Sequence, residues 1–356
     1  MTRDRRIYIK NIYYMLAYAF HVLKQKNYDR VAAESFEHEE DLMAAILSIG
    51  VAQQVKQGLY REYVSQKEDL TTIRGKIAFQ ETLQNRMQHK KKICCEYEEL
   101  SEDNLCNQIL KTTMCALLRS PKVADISKRE LRKVLAFFDQ VHLLEVSEIR
   151  WHQVTYQRSN QNYEMLLNIC YFALHGLLMT TASGDRKIPG FFEEEPMHWL
   201  YEKFILEYYR QEHPWLTKVS PAQIYWNLVG PQDPGMLQFL PGMQTDITLE
   251  YNDKTLIIDA KYYQSILQHV NGRSTLQSPN MYQIYTYVKN WDRKHTGNVA
   301  GLLLYAQTDA PLLPDCRYNM DGNWIGAKTL DLNQDFSEIR KQLDSIAEDY
   351  FRINRA

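Results

Sequence analysis

Asp246, Asp259 and Lys261 are the residues whose types and spacing suit a chemical step. Asp246 opens the run Asp-Ile-Thr-Leu-Glu-Tyr, the pair Asn252-Asp253 marks a turn, and Lys-Thr-Leu-Ile-Ile leads back to Asp259-Ala260-Lys261. Two strands joined by so short a turn pair antiparallel, which brings the carboxylates of Asp246 and Asp259 to the same end of a sheet. Asp259 and Lys261 are two apart on a strand and point to one face, with Ala260 facing away between them. Two carboxylates and an ammonium on one face are a cation site in outline. Mg2+ takes one or two carboxylates plus substrate phosphate oxygens, and the Ala260 carbonyl offers a third protein ligand. Lys261 then sits where an attacking water must be held and deprotonated. The plain alternative is two strand-end aspartates and an edge lysine. Ile257-Ile258 weigh against it, because a buried strand running into Asp-Ala-Lys-Tyr-Tyr leaves polar groups whose uncompensated burial costs about 1–3 kcal/mol.

The elements around these residues have a definite order. MHWLYEKFILEYYRQ (197–211) reads as a helix, followed by a strand-like segment near 223–228 and the two strands of the hairpin. Ser278-Pro279 supplies an N-cap with proline at the first helical position, opening NMYQIYTYVKNW, and VAGLLLYA follows as an apolar strand. Gln283 and Tyr287 are i, i+4 on that helix and share the face that can reach the site. Ile339, Leu343, Ile346 and Tyr350 mark a closing amphipathic helix. Upstream, helical spacing at Ile9, Ile12, Tyr13, Leu16 and Phe20 predicts a core helix over 8–21, with more helix over 41–57, 104–145 and 161–182. From about 60 to 100 the texture changes to short alternating runs, the turn Arg74-Gly75 and the basic cluster Lys90-Lys91-Lys92. The Gly- and Pro-punctuated stretch 183–196 breaks periodicity twice and marks a domain boundary.

With 356 residues, 45% hydrophobic and 24% charged, the chain is a folded globular protein of one large or two medium domains. Its net charge of −2 excludes a protein that coats nucleic acid or membrane by charge alone, so any nucleic-acid contact must be local. No apolar run is long enough to span a membrane, and the N-terminus lacks the continuous apolar stretch of a signal peptide; a cytoplasmic chain with no membrane contact is expected. Six cysteines without a C-x-x-C pair, and ten histidines without H-E-x-x-H, point away from structural zinc and disulfides. Gly322 to Thr329 nearly matches a phosphate-binding loop, but Ala327 replaces the second glycine and no helix start follows.

Helix-Glu202, Asp246, hairpin, Asp259-Ala260-Lys261 and Gln283-x-x-x-Tyr287 together resemble the PD-(D/E)xK nuclease core in its RecB-like form, with Thr245 where that motif commonly has proline. NIYYMLAYAF (11–20), IRGKIAF (73–79), ELSEDNLCNQILKTTM (99–114), MHWLYEKFI (197–205) and MQTDITLEYNDKTLIIDAKYYQSI (243–266) resemble, in order, the McrC family of modification-dependent restriction systems. That resemblance implies an α+β or α/β chain. Residues 1–190 would be a mostly helical partner-binding domain whose small mixed insertion at about 60–100 contacts a ring, and residues 191–356 an α-β-β-β-α-β nuclease core. It also implies Mg2+, with Mn2+ as substitute, held by Asp246, Asp259 and Ala260. Lys261, Gln283, Tyr287 and Glu202 complete the catalytic set, with Glu207 a competitor for the last role. The implied partners are a McrB-like AAA+ GTPase ring, approached by Arg74 and Lys76, and double-stranded DNA carrying 5-methylcytosine. Lys90 to Lys92 suit either DNA phosphates or a solvated loop. Two rivals remain, a non-catalytic GTPase-activating adaptor and a stand-alone RecB-like exonuclease.

Overall fold

The computed structural model describes residues 9–20, 36–156, 163–181, 194–230, 234–263, 266–270, 273–307 and 313–352. Most of the expected boundary stretch 183–196 lies outside them. By contacts the chain forms two units, Phe36–Arg186 and Met1–Ser35 with Lys187–Ala356.

The first helix, α1 (Ile9–Ala19), corrects the expected grouping of residues 1–190, since it belongs with the C-terminal unit. Its polar residues explain why. Asn11 Nδ2 donates to the Leu332 and Gln334 carbonyls (2.8 and 2.7 Å), Tyr18 donates to Glu212 Oε1 (2.7 Å), and Tyr14 stacks on Phe336 at 4.2 Å. Amphipathic spacing reveals that a helix has a buried face but not which distant element covers it.

The unit Phe36–Arg186 contains α2 (Glu39–Gln57), β1 (Glu62–Leu70), β2 (Lys76–Ile77), α3 (Phe79–Met87), β3 (Ile93–Ser101), α4 (Leu105–Arg119), α5 (Asp125–Leu135) and α6 (Tyr163–Thr181). The texture change near 60–100 is a three-stranded antiparallel sheet, β1-β3-β2, with α3 set between its strands in sequence. Its base is tied down by asparagines. Asn104 caps α4 by accepting from the Asn107 N–H at 3.2 Å, and both side-chain amides donate to the Tyr60 carbonyl at 2.9 Å.

The other unit is built on a mixed six-stranded sheet in the order β12-β13-β11-β8-β7-β4. Its strands are β4 (Lys218–Ser220), β7 (Ile247–Tyr251), β8 (Lys254–Lys261), β11 (Val299–Ala306), β12 (Cys316–Met320) and β13 (Asn323–Leu330). Before them comes α7 (Glu194–Glu212); α8 (Ser278–Trp291) links β8 to β11, and α9 (Phe336–Phe351) closes the chain. The strand that enters the sheet ahead of the hairpin is β4, where 223–228 was expected. Instead β5 (Gln223–Ile224) pairs with β6 (Met243–Gln244) in a separate ribbon, with Pro221 and Ala222 interrupting the strand after Ser220. A further hairpin, β9 (Leu267–Val270) with β10 (Arg273–Leu276), lies between β8 and α8 in sequence.

Strand β8 runs between β7 and β11, antiparallel to one and parallel to the other, and is buried from Thr255 to Lys261. Helix α8 seats on β11 at Gly301, where an added Cβ would stand 2.6 Å from Ile284 Cγ1 and 2.8 Å from Val288 Cγ2. Glycine there lets the helix approach closely enough to aim Gln283 at the end of β8. Gly301→Ala should therefore destabilise the protein by about 1–3 kcal/mol, read as a lower denaturant midpoint. An unchanged midpoint would show that α8 is not seated this closely.

Candidate active site

The site lies at the end of the β7–β8 hairpin opposite its turn. Tyr251 pairs with Lys254 around Asn252-Asp253, with Asn252 at φ 52°, and the ladder runs on to Ile247 paired with Ile258. One step further Asp246 falls opposite Asp259. Asp246 Oδ2 accepts from the Ala260 N–H at 2.8 Å. Asp259 is 1% exposed, and its Oδ2 lies 2.7 Å from Lys261 Nζ. Lys261 Nζ also donates to Gln283 Oε1 at 3.2 Å, and Gln283 Nε2 donates to the Tyr287 hydroxyl at 2.9 Å. A polar chain thus runs from Asp259 through Lys261 and Gln283 to Tyr287, as strand period and helix period together predict.

Electrostatics tie the carboxylates into one group. Burial, then the charges of Asp259 and Glu202, push the Asp246 carboxyl up to about 8, against the opposing pull of Lys261 and the Ala260 N–H. Burial also raises Asp259, countered chiefly by Lys261. For Lys261, burial favours the neutral amine but is outweighed by Asp259 and Asp246, so the ammonium is held above its usual range. Glu202 on α7 is raised by burial and by Asp259. Its competitor Glu207 is instead committed to Arg210, whose Nη1 is 2.5 Å from Glu207 Oε1.

Asp259 Oδ1 is buried and has no hydrogen-bond partner among the described residues. A dry, unpaired carboxylate oxygen beside a second carboxylate is costly unless a cation approaches it. The donor set is hard oxygen, which suits Mg2+. Among the described residues no three His, Cys, Asp or Glu side chains converge as a metal cluster. An ion here would draw on Asp246, Asp259, a backbone carbonyl such as that of Ala260, and water.

Other expected residues lie elsewhere. Arg74 and Lys76 are in the Phe36–Arg186 unit, where the Arg74 guanidinium stacks 4.0 Å over the Tyr97 ring and pairs with Glu99 at 3.2 Å. Lys76 is exposed on β2, and Lys90 to Lys92 form an exposed link from α3 to β3. Gly322 to Thr329 form a hairpin turn and strand β13, so their amides serve the sheet. His198 was not anticipated. It lies one helical turn before Glu202, its ring is 6.2 Å from that of Tyr263, and its charge favours ionised Asp259. The i, i+4 spacing from Glu202 was its signal.

The sequence model of the McrBC 5-methylcytosine restriction system component family matches residues 3–306. The type IV methyl-directed restriction enzyme EcoKMcrBC of Escherichia coli (strain K12) is 29% identical over 347 residues, covering 97% of this chain and 98% of that protein. Among solved structures, a half-complex from a tetradecameric assembly of Thermococcus gammatolerans McrB AAA+ hexamers with bound McrC is 16% identical, with a TM-score of 0.46 over 95% of this chain and 76% of that one. The Thermococcus gammatolerans McrBC complex is 18% identical, with a TM-score of 0.36 over 52% and 62%.

The raised Asp246 carboxyl has a consequence for stability. Its ordinary value is 3.8 and its folded value about 8, so the metal-free folded chain binds the extra proton between them. That contribution is complete below about pH 4 and is lost as pH rises through about 8. In EDTA the thermal midpoint should fall across this window, and Asp246→Asn should reduce the fall. An identical slope in the variant would remove Asp246 as its source.

Proposed function

The chain belongs to the McrBC 5-methylcytosine restriction system component family, and on that premise we propose that it is the cleaving subunit, a Mg2+-dependent DNA endonuclease of the PD-(D/E)xK type. The observation that carries this reading is half-buried Asp246 beside buried Asp259, with Lys261 2.7 Å from Asp259 and one Asp259 oxygen left unpaired. The order α7, β4, β7, β8, α8, β11 supports it, since it gives the α-β-β-β-α-β arrangement that the motif requires.

Mg2+ bound by Asp246 and Asp259, with the Ala260 carbonyl, would polarise the phosphoryl oxygens of a phosphodiester and stabilise the leaving oxygen. Lys261 stays protonated in this setting, so its work is to hold the attacking water and to offset negative charge in the transition state. Gln283 fixes the Lys261 side chain, and Tyr287 fixes Gln283. Glu202, whose carboxyl is raised by burial and by Asp259, would accept a proton from the water or bind the ion through it.

The net charge of −2 gives the isolated chain little affinity for the DNA backbone, so engagement of DNA falls to a partner. We assign that task to a McrB-like AAA+ GTPase ring acting on double-stranded DNA with 5-methylcytosine. The E. coli relative carries the name of a methyl-directed restriction enzyme, which supports this substrate. The docking surface we assign is the β1-β3-β2 sheet with α3. Phe79 and Met87 there are 75% and 81% exposed, and Leu83 joins them at i, i+4 spacing in an apolar stripe.

Cleavage of a plasmid bearing 5-methylcytosine should require this chain, the GTPase, GTP and Mg2+ together. Lys261→Ala should lower its rate by about a hundredfold or more while GTP hydrolysis is unchanged. Leu83→Asp should do the reverse, lowering the stimulated GTPase rate of a folded protein. Parental cleavage by the Lys261 variant would overturn the active-site assignment. Robust GTP-independent digestion by the single chain would favour the exonuclease reading, and GTPase stimulation with no cleavage by the intact chain would favour the adaptor.

A further inference from the structure

Asp246 stands one residue outside the β7 ladder, which begins at Ile247. Asp259 is held in the sheet by its pairing with Leu303 of β11, but the backbone at Asp246 has no cross-strand register of its own. It is held instead through its neighbour. The Thr245 N–H donates to the Ala222 carbonyl at 2.9 Å, and the Ala222 N–H donates to Thr245 Oγ1 at 2.8 Å. Thr245 Oγ1 lies 2.8 Å from Thr248 Oγ1 on β7. Both threonines are buried, at 1% and 0% exposure.

Resting on the cleavage reading above, we propose that Thr245 is a positioning residue for Asp246, its buried hydroxyl clamping the backbone from which that carboxylate reaches the cation site. Valine has nearly the same volume but lacks the hydroxyl, so filling the space does not by itself call for these hydrogen bonds. The hydroxyl and amide of Thr245 close a two-bond tie to Ala222, and Thr248 anchors the same oxygen to the sheet. A proline at this position would fix φ through its ring and forgo the N–H. Thr245 achieves the restraint with hydrogen bonds and uses that N–H. Asp246 is then held from two directions, by Thr245 through the chain and by the Ala260 N–H on Oδ2.

Groups that orient a metal-binding carboxylate without touching the ion commonly contribute ten- to hundredfold in affinity. The test is calorimetric titration of Mn2+ into the full-length metal-free protein, comparing the parent with Thr245→Val, Thr245→Ser, Thr248→Val and Asp246→Asn. Thr245→Val should weaken binding by about tenfold or more, and Thr245→Ser should return it close to the parental value. Thr248→Val, which leaves the Ala222 tie in place, should give a smaller loss and serves where Thr245→Val does not fold. A Thr245→Val protein with a lowered melting temperature but parental Mn2+ affinity would reduce the threonine to a structural part and overturn the proposal. So would parental affinity in Thr248→Val if that were the variant that folded. If Asp246→Asn bound Mn2+ as well as the parent, the cation site itself would fall, and the proposal with it. Loss in Asp246→Asn without loss in Thr245→Val would overturn the positioning role alone.

Discussion

Two carboxylates held together, Asp259 fully buried and Asp246 half-buried, set the terms for the C-terminal unit. Burial resists ionisation of both Asp246 and Asp259, the Asp259 charge raises Asp246 further, and the Lys261 ammonium balances one charge while leaving the other. The arrangement persists because the surrounding chain leaves it little alternative. β8 is fixed in the sheet by β7 and β11, α8 is drawn close by Gly301 so that Gln283 meets Lys261, and Asp246 is tied in through Ala260 and Thr245. Perturbed, closely spaced carboxylates of this kind are the chemistry on which the proposed cation site rests.

The parts of this site that local rules govern were legible in the sequence. The period of a strand put Asp259 and Lys261 on one face, the Asn252-Asp253 turn set the register that brings Asp246 opposite Asp259, and the i, i+4 spacing of Gln283 and Tyr287 gave their shared face. What local rules do not govern was hidden. Glu202 and Glu207 look alike along α7, and only the neighbourhood of Asp259 on one side and Arg210 on the other separates them. The three-residue strand β4 is too short to carry an alternating pattern, so the longer run beside it drew the expectation. The helix α1 shows its buried face plainly, yet its partners lie some two to three hundred residues away along the chain, at Glu212, Leu332 and Phe336. Thr245 reads as a loop residue until its bonds to Ala222 and Thr248 are seen.

The two units divide the chemistry by composition. The candidate site residues Asp246, Asp259, Lys261, Gln283 and Tyr287 all lie in the unit that includes Lys187–Ala356, while the unit Phe36–Arg186 carries a small sheet with an exposed apolar helix and an arginine occupied by Tyr97 and Glu99. Surfaces of that kind fit association with protein rather than the screened attraction to phosphate that a basic stripe provides.

In the proposed site, Asp246 and Asp259 hold a divalent cation next to Lys261. A crystal structure of the full chain soaked in Mn2+, with anomalous diffraction recorded at the manganese edge, addresses it directly. A peak is expected about 2.1–2.3 Å from Asp259 Oδ1 and from an Asp246 oxygen, lost in Asp259→Ala. Saturating Mn2+ with no peak there, and the Asp259–Lys261 pair undisturbed, would contradict it.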